Sequence, residues 1–242
     1  MRVSFPRARG FFVTGTDTGI GKTVVAAALA HCLVQQGKRV AIFKPIASGC
    51  EMGEQGLVSS DALFLAQCGG TGQTAEEITP IRYEQPLAPL VAARLSKRAI
   101  DWDLIVQTYR NLTQNYDMVL VEGIGGIMVP LEADYLVQDL MADMALPAII
   151  VARADLGTIN HTLLTVQACR THNLPIAGII LNQNQPSKNE LAVESNPRVV
   201  SELTGAKILA ILDRDPETSV ESLQLGQKNI SQIEAVDWAA LM

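Results

Sequence analysis

The 242-residue sequence predicts a doubly wound α/β fold, with a mostly parallel sheet and helices on both faces. Its length suits one large α/β domain, so we expect residues 1–242 to form a single domain. Hydrophobic residues make up 48% of the chain and aromatic residues only 5%, which favours aliphatic parallel strands covered by helices rich in Ala, Leu and Val. Strand-like and helix-like runs alternate without an internal repeat, as in doubly wound sheets.

The elements follow from hydrophobic runs and the residues between them. Short apolar runs predict strands at residues 11–13, 39–43, 117–121, 147–152, 176–181 and 207–212. A helix is expected to begin at Val24, and others near 62–66, 90–96, 101–114, 158–172, 198–204 and 230–241. In the helix near 101–114, Trp102, Leu104, Ile105 and Tyr109 are expected to face the core. Loops are expected at 45–59, 69–86 and 184–197, the first and third as mobile rims of one site.

The charge balance argues against a nucleic-acid-binding protein. Net charge is −6 and the pI is about 5.1, so a local site must hold any bound anion. The four cysteines are scattered without a C-x-x-C pair, which argues against zinc and against a disulfide framework. Arginines interrupt the first ten residues, and no apolar run approaches the ~18 residues that a membrane span needs. We therefore expect a cytoplasmic protein with no membrane or nucleic-acid partner.

Residues 15–23, Gly-Thr-Asp-Thr-Gly-Ile-Gly-Lys-Thr, predict a phosphate-binding loop, because they connect a strand-like run to a helix-like run. Backbone N–H groups of such a loop curl toward an anion, Lys22 can reach terminal phosphates, and the Thr23 hydroxyl can ligate Mg²⁺. Five residues separate Gly15 from Gly21, one more than in the general motif, and Thr16 stands where that motif has glycine. The alternative is a glycine-rich turn with a chance lysine, but later residues also fit a nucleotide site.

Further candidate residues lie at the ends of predicted strands and the starts of predicted helices. Lys44 follows the strand at 39–43 and faces the edge where open α/β sheets bind ligands; the alternative is a solvated loop lysine. Glu122 ends the strand at 117–121, where phosphate-loop enzymes place an acidic group near magnesium. Asp61 has two compatible interpretations, a helix cap and a metal-site carboxylate. Gly157 and Thr158 open a helix and form a second potential anion site, although most helix N-termini bind only water.

Five motifs follow one another along the chain: Gly-Thr-Asp-Thr-x-x-Gly-Lys-Thr at 15–23, Lys-Pro-Ile-Ala-Ser-Gly at 44–49, Ser-Asp-Ala at 60–62, Val-Glu-Gly-x-Gly-Gly at 121–126 and Gly-Thr-Ile-Asn-His at 157–161. Together they resemble dethiobiotin synthetase over roughly residues 10–183. The resemblance implies a P-loop NTPase-type fold and an ATP- and Mg²⁺-dependent ring closure in biotin synthesis. In that reaction 7,8-diaminononanoate takes up CO2 as a carbamate, and ATP phosphorylates the carbamate to a carbamic-phosphoric anhydride. The second amine then closes the ureido ring of dethiobiotin, and ADP and phosphate are released.

The resemblance also implies roles for individual residues. Lys22 and Lys44 would be catalytic: Lys22 would hold the β- and γ-phosphates, and Lys44 would neutralise the carbamate and the transferring phosphoryl group. The implied magnesium ligands are Thr23, Asp61 and Glu122. The residues implied in ATP binding are Gly19, Ile20, Gly21, Lys22, Thr23, Val24, Asp61, Glu122, Gly123, Ile124, Gly125, Asn182 and Gln183, with Asn182 reading the base. Those implied in substrate binding are Thr18, Ser48, Gly157, Thr158, Ile159 and Asn160, the last four from the neighbouring subunit of a homodimer.

Two departures from the family pattern leave details open. Gly19 stands where some members carry glutamate, so that side-chain contact is absent. Residues 208–214 lack the proline-containing strand end expected near the nucleotide, which leaves the base and ribose contacts and the nucleotide preference open.

Two other classes of protein compete with this interpretation. A cobyrinate-type amidase has a similar loop but usually continues into a glutaminase domain, for which this chain ends too soon. A partitioning or division-site ATPase switch carries an extra lysine at the start of its loop, where this chain has Thr16.

Overall fold

The computed structural model of the protein describes residues 2–54, 56–183, 185–186 and 189–241. The strands of these residues are β1 (Gly10–Gly15), β2 (Val40–Phe43), β3 (Ile46–Ser48), β4 (Glu51–Gly53), β5 (Gly56–Val58), β6 (Ile81–Tyr83), β7 (Met118–Glu122), β8 (Pro130–Glu132), β9 (Tyr135–Leu136), β10 (Ala148–Arg153), β11 (Ile176–Asn182) and β12 (Ile208–Leu212). The helices are α1 (Lys22–Gln35), α2 (Ser60–Cys68), α3 (Ala75–Ile78), α4 (Pro89–Ser96), α5 (Trp102–Asn115), α6 (Val137–Met144), α7 (Thr158–Thr171), α8 (Glu190–Thr204) and α9 (Gln227–Glu234), followed by a short 3-10 helix, Ala239–Leu241. Strands β1, β2, β7, β10, β11 and β12 match those expected from the sequence.

Among the described residues, six strands form a parallel sheet in the order β12-β11-β10-β1-β7-β2. The chain first fills one side of β1 with β2 and β7, and then the other side with β10, β11 and β12. Because all six strands run the same way, their carboxyl ends meet at one edge of the sheet. The loop after β1 lies where the direction of winding changes, which is where open α/β sheets bind ligands.

Helices cover both faces of this sheet, as the alternation of side chains along β7 shows. Val119 and Val121 belong to a buried cluster with α4, α5, α6, α7 and α8, whereas Met118 and Leu120 belong to a second cluster with α1, α2, α3 and α9. Successive side chains of a strand point to opposite faces, so each face needs its own apolar cover. The predicted doubly wound α/β fold is confirmed.

Helix α1 directly follows the loop after β1 and is enclosed by other elements. Its sequence is rich in Ala, Leu and Val, and most of its side chains are buried, as expected for a helix enclosed by other elements. It begins after Gly21, whose backbone is left-handed with φ 90°. A Cβ at position 21 would lie 2.0 Å from Nδ2 of Asn182, so both the backbone and its neighbour require glycine there.

The prediction of a loop over residues 184–197 was wrong from Glu190 onward, because α8 begins there and contains Pro197. Proline removes a backbone hydrogen bond and is normally excluded from helix interiors. Buried Asn196 and Val200 flank it, and the Asn196 side chain donates to the carbonyl of Ala154 at 3.0 Å. Tertiary contacts therefore outweigh the local signal. Residues 184, 187 and 188 lie outside the described residues, so the expected mobility of this rim is untested.

Other boundaries also differ from expectation. The predicted loop at 45–59 contains β3, β4 and β5, and residue 55 lies outside the described residues. The predicted loop at 69–86 contains α3 and β6, while α6 and the β8–β9 pair had no predicted counterpart. Helix α9 ends at Glu234, and Trp238 beyond it packs edge-on against Phe11, with ring centroids 5.9 Å apart. Leu104 is 38% exposed, so its expected core position was wrong, whereas Ile105 and Tyr109 of α5 are buried as expected.

Candidate active site

The loop between β1 and α1 is held against the ends of two neighbouring strands. The backbone N–H of Thr16 donates to the carbonyl of Val151 in β10 at 3.0 Å. The side chain of Asn182, at the end of β11, donates from Nδ2 to the carbonyl of Ile20 at 2.8 Å. Within the loop, the N–H of Thr18 donates to Oδ1 of Asp17 at 2.8 Å. The loop thus lies at the carboxyl edge of the sheet, as its sequence position requires.

A cavity of about 260 Å³ opens between this loop and the ends of β2 and β7. It is lined by Thr18, Gly19, Gly21, Lys22, Thr23, Lys44, Ser48, Asp61, Glu122, Ile124 and Gly125. Every one of these residues belongs to the set predicted from the sequence. The structure therefore brings together residues that are up to about a hundred positions apart in the chain, because parallel strands end at the same edge.

Lys44 is the centre of the charged network in this cavity. Its Nζ lies 2.8 Å from Oε1 of Glu122 and also forms an ion pair with Asp61. Thr23 donates from Oγ1 to the same oxygen of Glu122 at 2.9 Å. The other carboxylate oxygen of Glu122, Oε2, is buried and has no partner among the described residues. A buried acceptor without a donor is costly unless something else binds it.

These contacts shift the pKa values of the network in different directions. Burial alone lowers the pKa of Lys44, but attraction to Glu122 and Asp61 outweighs it, so that pKa is raised above the ordinary lysine value. Burial alone raises the pKa of Asp61, but Lys44 outweighs it and lowers that pKa. Burial raises the pKa of Glu122, with Lys44 opposing. Lys44 is therefore held firmly in its charged form.

Lys22 is buried in the same cavity but has no carboxylate within ion-pair distance among the described residues. Its Nζ donates to the backbone carbonyl of Asp17 at 3.0 Å. Burial lowers its pKa to about 8, with repulsion from Lys44 adding to the shift and Glu122 opposing it. The ammonium group is thus poorly compensated and would gain from an anion in the cavity.

A second, more open cavity of about 500 Å³ adjoins the first and shares Gly19, Gly21, Thr23 and Asp61 with it. It also contains the predicted residues Val24, Asn182 and Gln183. Its far wall consists of Asp213, Arg214, Asp215, Pro216, Thr218, Ser219, Val220, Glu221 and Asn229. The first two belong to the segment 208–214, whose nucleotide contacts the sequence left open, and the others were not predicted. The signal available in the sequence was that this segment follows β12, another parallel strand. Pro216 lies just beyond residues 208–214, so a proline does stand beside the cavity.

The remaining predicted residues lie outside these two cavities. Ile20 is buried and contributes its carbonyl to Asn182, and a Cβ at Gly123 would lie 2.9 Å from the ring of Phe12. The predicted segment Gly157, Thr158, Ile159 and Asn160 forms the start of α7 and lines neither cavity. The N–H of Thr158 already donates to the carbonyl of Asp155 at 3.2 Å. Within the described part of one chain, this segment therefore contributes to neither cavity.

Solved structures share the fold. The MinC:MinD cell division protein complex of Aquifex aeolicus matches with a TM-score of 0.58 at 16% identity, over 94% of this chain and 93% of that chain. A ParA family ATPase from Chlorobium tepidum TLS matches with a TM-score of 0.54 at 17% identity, over 96% and 98%. At these identities the likeness shows the fold alone. None of the helices that the structure describes has the length and apolar character to cross a membrane.

Sequence relatives identify the family. The family model described as an AAA domain matches residues 9–222. ATP-dependent dethiobiotin synthetase of Thermodesulfovibrio yellowstonii is 39% identical over an alignment of 231 residues, and the match covers 89% of this chain and 96% of that protein. The enzyme of the same name from Anaeromyxobacter dehalogenans is 41% identical over 226 residues, 93% of this chain and 99% of that protein. The enzyme of the same name from Bacillus subtilis is 39% identical over 217 residues, and the match covers 89% of this chain and 91% of that protein. The chain belongs to the dethiobiotin synthetase family of ATP-dependent enzymes.

Proposed function

We propose that the protein forms dethiobiotin from 7,8-diaminononanoate, CO2 and ATP. One amine of the diamine attacks CO2, which forms an N–C bond and, with loss of a proton, a carbamate. A carbamate oxygen attacks the γ-phosphorus, and ADP leaves. The second amine attacks the carbon of the resulting carbamic-phosphoric anhydride, the C–O bond to phosphate breaks, and the ureido ring closes. ADP, phosphate and dethiobiotin are the products.

The observation that carries this proposal is the pair of buried lysines, Lys22 and Lys44, in one cavity with two carboxylates. Phosphoryl transfer to an anionic acceptor needs positioning and neutralisation of charge more than covalent help from the protein. Lys22, whose charge is poorly compensated in the free protein, would bind the β- and γ-phosphates. The backbone N–H groups from Gly19 to Thr23 would bind the same oxygens at the start of α1.

Lys44 would act on the carbamate and the transferring phosphoryl group. Asp61 and Glu122 keep the Lys44 ammonium in its charged form, so it would bind an anion with its full positive charge. An arriving carbamate or phosphoryl oxygen would take one of the positions that these carboxylates occupy around Nζ. Thr18 and Ser48 line the same cavity and would contact the diamine-carbamate end. Asn182 and the wall from Asp213 to Glu221 would bind the base and ribose.

The residues of the cavity fit a magnesium ion. Mg²⁺ is usually held by one or two carboxylates together with phosphate oxygens and water. Thr23, Asp61 and Glu122 supply oxygen donors, and Oε2 of Glu122 is a buried acceptor without a partner among the described residues. When bound, the ion would neutralise charge on the β- and γ-phosphates. With Thr23, Asp61 and Glu122 engaged by the ion, the Lys44 ammonium would be free to reorient toward the substrates.

The experiment that tests this function is phosphate release from Mg·ATP, measured with and without 7,8-diaminononanoate and bicarbonate. We expect release to depend on the diamine and to be matched by dethiobiotin formation. Lys44→Met should lower the diamine-dependent rate by at least about 100-fold, as loss of a single group does in other electrostatic sites. Lys38→Met is the matched control, since Lys38 is exposed after α1. ATP hydrolysis that ignores the diamine would instead favour a partitioning-type switch and contradict the proposal.

A further inference from the structure

Arg153, the last residue of β10, forms an ion pair with Asp17 of the phosphate loop. The two atoms Nη2 and Oδ2 lie 2.6 Å apart. The other oxygens of Asp17 bind the loop itself: Oδ1 accepts from the N–H of Thr18 at 2.8 Å, and the carbonyl accepts from Nζ of Lys22 at 3.0 Å. A single residue therefore connects Arg153 to the lysine of the proposed phosphate site.

The strand end that carries Arg153 is held by other elements. Arg153 pairs in register with Asn182 of β11, and the N–H of Ala154 donates to the carbonyl of Asn182 at 3.2 Å. The buried side chain of Asn196 in α8 donates to the carbonyls of Ala154 and Asp155 at 3.0 and 3.3 Å. Arg153 thus extends from a fixed support toward a loop.

The loop between β1 and α1 loses more conformational freedom when it is ordered than the strand end that carries Arg153 does. Gly19 and Gly21 both have left-handed backbones, with φ 68° and 90°. Glycine loses more conformational entropy than any other residue when its backbone is fixed. Ordering that is already present in the free protein does not have to be supplied by a ligand, so preorganisation increases affinity.

We infer that Arg153 is a positioning residue for nucleotide binding, acting through Asp17. The pair holds the carbonyl of Asp17, and with it the loop and Lys22, in the conformation that accepts the phosphates. Both side chains are partly exposed, 36% for Arg153 and 48% for Asp17, so the pair contributes little to global stability. The inference rests on the nucleotide site proposed above and adds a residue that the family motifs do not include.

The test is a double-mutant cycle with Arg153→Met and Asp17→Asn. Binding of Mg·ADP is measured by calorimetry without the diamine, and KM for ATP and kcat are measured with it. Each single variant should weaken nucleotide binding and raise KM for ATP about fivefold, the effect of a partly exposed ion pair. The double variant should lose no more than either single one, because both remove the same interaction. The value of kcat should stay within about twofold, since Lys22 and Lys44 remain.

Two further variants make the result specific. Arg153→Lys keeps the positive charge, so its affinity for Mg·ADP should lie between those of Arg153→Met and the wild type. It also replaces Arg153→Met in the test if that variant fails to fold. Arg198→Met removes a guanidinium that pairs with Glu202 at 2.7 Å on the exposed side of α8, and should leave nucleotide binding unchanged.

Unchanged affinity in either single variant, additive losses in the double variant, or a fall in kcat at constant affinity would overturn the positioning role. Equal weakening by Arg198→Met would do the same. The ADP titration does not involve the diamine, so failure of the proposed reaction and failure of this inference are distinguishable.

Discussion

Lys22 and Lys44 lie in one cavity but have opposite electrostatic balances. Lys44 is paired with two carboxylates, and its pKa is raised. Lys22 is bound to a neutral carbonyl, and burial lowers its pKa to about 8. A basic group with a lowered pKa costs stability while it is charged, whereas one with a raised pKa contributes stability. The two lysines should therefore respond to substitution in opposite ways.

Lys22→Met should raise the free energy of unfolding of the ligand-free protein at pH 7 by about 1–2 kcal/mol, because it removes a poorly compensated buried charge. The pKa of a lysine in the unfolded chain is 10.5, whereas the pKa of Lys22 in the folded protein is about 8. In that window the unfolded chain binds more protons, so wild-type stability rises with pH and the advantage of the variant shrinks. Urea unfolding at pH 7 and pH 10 measures this.

Lys44→Met is the matched comparison and should lower the free energy of unfolding at pH 7 by about 3 kcal/mol, because it leaves the buried carboxylate of Glu122 unpaired. Equal effects of the two substitutions would contradict the opposite balances assigned to these lysines.

Asp61→Asn and Glu122→Gln should each raise the Mg²⁺ concentration needed for half-maximal activity by at least about tenfold, and affect KM for the diamine less. Each removes one charge from a set of oxygen donors suited to a hard cation. The helix cap before α2 is supplied by Ser59 rather than Asp61, because the Oγ of Ser59 accepts from the N–H of Ala62 at 3.2 Å. Any fall in the melting temperature of Asp61→Asn therefore comes from the weakened ion pair with Lys44 and not from a lost cap. Asp117→Asn, at an exposed carboxylate paired with Arg39, is the control. Magnesium titrations that match wild type for both variants would remove these residues from the metal site.

At the scale of elements, the phosphate loop depends on two glycines with different surroundings. Gly19 and Gly21 share a left-handed backbone, so alanine at either position bears a similar conformational cost. A Cβ at Gly19 would meet nothing within 4 Å, whereas one at Gly21 would lie 2.0 Å from Nδ2 of Asn182. Substitutions at these two positions therefore distinguish the cost of the left-handed backbone from the cost of a clash with Asn182 of β11.

Gly21→Ala should destabilise the protein by about 1 kcal/mol more than Gly19→Ala, since Asn182 must give up its hydrogen bond to Ile20. Adding Asn182→Ala should remove most of that difference, because it makes room for the new Cβ. Thermal and urea unfolding of Gly19→Ala and Gly21→Ala, each with and without Asn182→Ala, measures the comparison. If Gly19→Ala were the more damaging of the two, the contact with Asn182 would not be the reason for glycine at position 21.

At the scale of the whole molecule, the start of α7 remains apart from the two cavities of its own chain. The family resemblance predicts that residues 157–160 bind the carboxylate of the diamine in a neighbouring subunit. If that is so, Gly157→Leu and Lys22→Ala should each abolish activity, and a mixture should regain about a quarter of the wild-type activity, since half of the dimers would contain one intact site of two.

Measuring this complementation requires ultracentrifugation to establish a dimer and a tagged variant to show that subunits exchange. Nucleotide binding by Gly157→Leu should be close to wild type. A fully active monomer, or exchanged dimers without activity, would count against a shared site.

The sequence by itself, together with its family resemblance, determined the sheet, its parallel winding and the residues that line the cavity beside the β1–α1 loop. Apolar runs bounded by glycines and charged residues indicate the central strands directly. Functional side chains at the ends of parallel strands must lie close together, because those strands end at one edge of the sheet. Hence Lys22, Lys44, Asp61 and Glu122 could be grouped in advance, and relatives confirm the family resemblance.

Only the tertiary structure decided what depends on contacts between distant segments. Helix α8 passes through Pro197 because Asn196 and Val200 are buried against the sheet, and no local pattern records that packing. The wall from Asp215 to Glu221 and the pairing of Arg153 with Asp17 bring together residues whose separation along the chain has no periodic signature. Propensity and spacing describe neighbours in sequence, whereas the energy that fixes these features comes from neighbours in space.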